Sequence, residues 1–139
     1  MLHTTIPAKE IINGNVPMQL DFDVNFNDTG IASGVRKYTI LASVAKPVLL
    51  QLFCEIITAF NAVTTNVLTG GTNSTANQLL GAGDITEGTP GFYPSGAATG
   101  KLRITANTDI YVKYTQSGTE ATTGKAKFYL QVTPLYQGT

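Results

Sequence analysis

Tryptophan is absent from the 139 residues, and cysteine and histidine occur once each, as Cys54 and His3. A lone cysteine has no partner for an intramolecular disulfide, and Cys54 lies in an apolar run where an inert buried thiol is expected. With one histidine and one cysteine there is no ligand set for zinc. A Ser-His-acid or Cys-His nucleophile would have to recruit His3 from the chain terminus, and no nucleophile elbow is present. Charge is also scarce. Only 13% of the residues are charged, against ~25% in ordinary domains. Nine basic side chains cancel nine acidic ones, so no long-range field draws in nucleic acid or anionic lipid. The longest apolar run, Val48 to Phe60, is broken by Gln51 and Glu55. It falls short of the roughly 20 residues that a membrane span needs. Met1-Leu2-His3-Thr4-Thr5 lacks the basic start and apolar core of a signal peptide. These absences predict a chain made in the cytoplasm, with no cofactor, no metal and neither nucleic acid nor membrane as partner.

What is present is alternation. Leu102, Ile104 and Ala106, then Ile110, Val112 and Tyr114, recur at every second position. Farther on, Ala126, Phe128, Leu130 and Val132 oppose Lys125, Lys127, Tyr129, Gln131 and Thr133. This period places one strand face in a core and the other toward water or a neighbour. The polar stretch from Gln116 to Gly124 predicts a closing hairpin, with Tyr111 and Tyr129 neighbours on its outer face. Met18, Leu20, Phe22, Val24 and Phe26 alternate with Gln19, Asp21, Asp23 and Asn25 in the same way. A further strand is expected from Arg36 to Val44, with Tyr38, Ile40, Ala42 and Val44 inward. The span from Pro47 to Phe60 fits both a helical stripe and a strand. β-Branched and aromatic residues, and a hairpin-like continuation through Asn61–Asn66, favour the strand. As a strand it is apolar on both sides, and Leu49, Phe53 and Ile57 then require a cover. Residues 1–15, interrupted by Pro7, read as an arm or edge strand preceding a single domain over 16–139. From Gly70 to Gly100 the chain turns to Gly, Thr, Asn, Ser and Ala. A loop of that length is expected to drape over a partner.

The motifs that resemble chemistry are incomplete. Asp21-x-Asp23-x-Asn25 begins like a calcium loop, but Phe26 and Ala32 occupy the positions that require Gly and Glu. Gly70-Gly71 and Gly81-Ala82-Gly83 lack the Lys-Ser/Thr ending of a phosphate loop. The acids are scattered, and Glu55 alone sits within a strongly apolar run, so paired-carboxylate glycoside chemistry is not indicated. Tyr93, Tyr111, Tyr114, Tyr129 and Tyr136 supply either cross-strand packing, burial under another subunit, or a sugar-stacking face.

The segments Ile57–Thr72, Ala82–Thr89, Asn107–Tyr114 and Gly124–Tyr129 together resemble a group of small tailed-bacteriophage structural proteins. Their shared signatures are turns and strands, spread over roughly Ile56 to Tyr136. The resemblance implies a capsid decoration or cement protein on the virion exterior, binding the major capsid protein as a homo-oligomer, a trimer by analogy. It carries no catalytic residues. The sequence reading is therefore an all-β, single-domain antiparallel β-sandwich, jelly-roll-like, with a long Gly/Thr-rich loop region and no enzymatic activity. Leu49, Phe53, Ile57, Tyr93, Tyr111 and Tyr129 are its expected oligomer or capsid interface. The alternative is a tail-associated or carbohydrate-binding sandwich module that uses Tyr93, Tyr129 and the 70–100 loop.

Overall fold

Side chains that alternate in polarity form the strands, and nothing in the chain favours a helix strongly enough to compete. The computed structural model describes residues 10–13, 17–94 and 101–135, and these contain no helix. The strands are β1 (Glu10–Asn13), β2 (Met18–Asn25), β3 (Val35–Leu41), β4 (Val48–Thr58), β5 (Thr65–Gly71), β6 (Gly91–Tyr93), β7 (Lys101–Ile104), β8 (Thr108–Ser117) and β9 (Lys125–Pro134). They form two sheets. The first has the order β1-β3-β8-β5, and in the second β2, β9 and β4 run side by side. β6 and β7 share the far edge of β4, β6 opposite Cys54–Ile56 and β7 opposite Val48–Gln51. Every pairing is antiparallel except that of β1 with β3. Residues 10–13 of the expected arm thus form an edge strand, and Ile12 is buried.

The sheets face each other across one apolar layer, the all-β sandwich that the alternation implies. Tyr38, Ile40, Leu68, Ile110, Val112 and Tyr114 line it from the first sheet, and Leu20, Leu50, Leu52, Phe128 and Leu130 from the second. Phe22 stacks on Phe128 with centroids 5.4 Å apart and meets Tyr38 edge-on at 5.7 Å. Gly70 has a specific reason to be glycine. It lies on the core side of β5, and a Cβ there would stand 2.4 Å from Leu52 Cδ2.

The connectivity corrects two expectations. The stretch from Lys101 to Pro134 does not close as a hairpin: β8 pairs with β3 and β5, whereas β9 pairs with β2 and β4. β4 and β5 likewise part into different sheets. Each connector arches over the ~10 Å between layers, so strands adjacent in sequence face one another instead of pairing. Tyr111 and Tyr129 are therefore on opposite outer surfaces.

One further expectation fails for a local reason. β3 ends at Leu41, and a turn closed by hydrogen bonds between Ser43 and Lys46 leaves Val44 81% exposed. The apolar side chains of segment 72–90 pack on their own molecule. Ala76, Leu79, Leu80 and Ile85 are buried, Gly70 and Leu80 exchange backbone hydrogen bonds, and the Phe60 N–H donates to the Glu87 carbonyl. The segment lies along the free edge of β5 with a single bridge, Gly70 to Leu80. It stands where a complete eight-strand jelly roll would place a strand.

Candidate functional site

β4 supplies both sides of its sheet. Val48, Leu50, Leu52, Cys54 and Ile56 are buried, while Leu49, Gln51, Phe53 and Glu55 point outward and stay half-buried. Register then sets the neighbours of the outward residues. Phe53 lies opposite Tyr129, and Tyr129 opposite Asp21. Glu55 lies between Lys127 and Phe92. Gln51 lies between Gln131 and Lys101, and Leu49 between Thr133 and Arg103.

The centre of this face is aromatic. Phe53 and Phe92 stack with centroids 5.4 Å apart, and Phe92 meets Tyr129 at 6.0 Å. Phe92 remains 49% exposed. The Tyr129 hydroxyl donates to Glu55 Oε1 at 2.8 Å. That bond, together with burial and the charges of Glu55, Asp21 and Asp23, pushes the tyrosine pKa up to about 12. Tyr129 is therefore a fixed donor that keeps its proton at physiological pH. Charges mark the two margins. Asp21 and Asp23 project from β2, and Lys101 and Arg103 from β7. Among the described residues the ion pair is Arg36 with Asp109 at 3.3 Å, on the outer surface of the other sheet. Among the described residues these four marginal charges of the second sheet form no ion pair.

Of the residues expected at an interface, Leu49, Phe53 and Tyr129 come together here. Ile57 is 45% exposed in the irregularity that ends β4. Tyr93 turns the other way, opposite Cys54, packs against the core and donates its hydroxyl to the Thr89 carbonyl at 2.8 Å. Tyr111 sits on the far surface beside Arg36. Sequence reasoning missed Phe92, whose three-residue strand lies in a stretch rich in Gly and Pro with no periodicity to reveal it. It also missed the role of Glu55, which accepts from a tyrosine two strand positions away instead of pairing with a lysine or arginine side chain.

A second polar cluster is internal. Glu87 is buried and accepts the Leu68 N–H at 2.8 Å through Oε2. Burial raises its pKa, against the opposing pull of the backbone donors of Leu68 and Glu87 itself. Its charge adds to burial in raising Tyr114, whose hydroxyl donates to Asn66 Oδ1. Cys54 is fully buried, and burial, followed by the charges of Glu87 and Glu55, pushes its thiol far above the ordinary range. These groups lie in the interior. His3 and Tyr136 lie outside the described residues. Asp21, Asp23 and Asn25 occupy one outer strand face, opposite Tyr129, Lys127 and Lys125, in place of wrapping a cation. No cluster of metal-ligating side chains occurs among the described residues, and no helix there is long and apolar enough to cross a membrane.

No family model matches this chain, and no curated protein matches it. Among solved structures it is similar to the crystal structure of Aeromonas hydrophila PliG, a periplasmic lysozyme inhibitor of g-type lysozyme. That likeness has 9% identity and a TM-score of 0.35, and it covers 89% of this chain and 98% of the inhibitor. The expectation of a phage capsid decoration or cement protein finds no support in these comparisons, which return a lysozyme inhibitor and no virion component. At that score nothing of the inhibitor's role carries over to this chain.

Proposed function

We propose that this protein is a non-catalytic association module, and that the outer face of its second sheet is the recognition surface. The Phe53–Phe92–Tyr129 cluster carries this reading. Phe92 touches both Phe53 and Tyr129 at the middle of the face, and glutamines, threonine and charged side chains surround these rings. Aromatic centres with polar margins are the composition of protein recognition surfaces. An aromatic side chain presents ~200 Å². Covering the exposed half of Phe92 therefore returns about 2–3 kcal/mol at ~25 cal/mol per Å². Nothing in the face favours turnover. Tyr129 and Glu55 are engaged with each other, and the raised tyrosine pKa opposes proton transfer at neutral pH.

The test compares wild type with the Phe53→Ser/Phe92→Ser chain. Both are run in sedimentation velocity over a concentration series and on an array of peptides and glycans. Association or ligand capture by wild type that disappears in the variant supports the reading. Binding that survives loss of both rings overturns it, as does a wild type that neither associates nor captures anything.

A further inference from the structure

The margins of the aromatic face carry opposite signs, and this identifies what it fits. Along β2 the outward side chains are Gln19, Asp21, Asp23 and Asn25; along β7 they are Lys101 and Arg103. Between them Tyr129, Gln131, Phe53 and Gln51 are neutral, while towards one end of the face Lys127 stands between Asp23 and Glu55, and Lys125 lies opposite Asn25. The face thus has an acidic edge on β2, an aromatic and largely neutral centre and a basic edge on β7, and among the described residues none of the edge charges forms an ion pair.

We infer that the occupant of this face is a second copy of the same chain, laid face to face about a two-fold axis nearly parallel to β4 and β9. The inference rests on the reading of this face as a recognition surface. A two-fold interface is isologous, so each patch must complement itself. The stated axis does this: β2 of one copy lies over β7 of the other, and the rings of both copies meet near the axis. Lys101 is level with Gln51 and Asp21 with Phe53. The two are offset by ~7 Å along the strands, which a lysine stem and the ~30° crossing of packed sheets accommodate. Strands β2, β9 and β4 and the shared β6/β7 edge, at ~4.8 Å each and up to eleven residues long, offer roughly 600 Å² per copy. That is somewhat below the ~800 Å² of a standard interface, so the dimer is reversible and its population depends on concentration. Salt weakens it, because the edge charges are at the rim.

The experiment reverses one edge at a time in the full chain. Lys101→Glu/Arg103→Glu makes both edges acidic, and Asp21→Lys/Asp23→Lys makes both basic. Sedimentation velocity is run on wild type, on each variant alone and on their equimolar mixture. Wild type is expected to dimerise, each variant alone to dimerise ~tenfold or more weakly, and the mixture to recover association. Recovery in the mixture also shows that both variants fold. Variants that dimerise like wild type, or a mixture that remains monomeric, overturn the pairing. A wild type that is monomeric throughout, yet captures a ligand dependent on Phe53 and Phe92, overturns the pairing and leaves the recognition surface standing.

Discussion

Glu87 is the residue whose environment departs most from its composition. A carboxyl group beside Leu68 and behind Phe60 is kept in the fold by its backbone donor, and burial still raises its pKa above the ordinary 4.5. As pH climbs past 4.5 the unfolded chain releases this proton while the folded chain retains it. Stability therefore declines with rising pH until Glu87 ionises in the fold. Glu87→Gln retains an acceptor for Leu68 and has nothing to titrate. The difference in melting temperature between wild type and Glu87→Gln should thus shift in favour of the variant as pH is raised from 4 to 7. A constant difference across that range would contradict the assignment. Tyr129 offers a companion measurement at alkaline pH. Its phenol should ionise near 12 by ultraviolet titration. In Glu55→Gln it should fall back toward 10.0, the ordinary value. The neutral phenol is favoured by folding, so its contribution holds below pH 10 and fades as pH rises through about 12.

At the scale of elements, faces were legible in the sequence and partners were not. Leu20, Phe22 and Val24 in β2, the even positions of β4, and Phe128, Leu130 and Val132 in β9 are buried as their period demands. Alternation reports which side of a strand is dry, but it is silent on which strand lies beside it. For that reason the β8–β9 connector read as a hairpin when it is an arch between sheets. The 72–90 segment was opaque for another reason. Its apolar residues Ala76, Leu79, Leu80 and Ile85 have no repeating spacing, and they are buried by tertiary contact alone. Leu80→Ala accordingly should cost about 2–5 kcal/mol, as for a fully enclosed leucine. Leu49→Ala, on the half-buried outer face, should cost less than ~1 kcal/mol. Denaturant midpoints of the two variants measure this, and similar values for both would return the segment to the status of a surface loop. The element pairing also disfavours a rival mode of association. β2 has no partner on its outer edge among the described residues. Joining two such edges antiparallel would set Asp21 and Asp23 near their own copies, and like charges across strands repel.

For the molecule as a whole, the question is whether the two sheets separate as one event. The buried apolar residues form one cluster that spans both layers, from Ile12 and Tyr38 to Leu130 and Val132. Cys54 lies inside it with no exposed surface, and beyond Cys54 in the sheet is only the three-residue β6. Alkylation needs a thiolate in contact with solvent, and Cys54 in the fold meets neither condition. At dilute protein, labelling must therefore proceed through an opening reaction. Its rate gives the free energy of that opening whenever reclosing is faster than modification. If the sandwich opens only globally, this free energy equals the one from equilibrium unfolding followed by circular dichroism, with the same dependence on denaturant. A global value of ~5–10 kcal/mol slows the labelling by roughly four to seven powers of ten relative to the unfolded chain. Equality is the expected result, because removing β6 alone would still leave Cys54 packed between its neighbours on β4 and β9, with Phe128 opposite it. A smaller free energy with a shallow denaturant slope would instead show the β6 edge peeling from β4 by itself. Phe92 would then leave the aromatic face with it, and the recognition surface would come and go with the motion of one short strand.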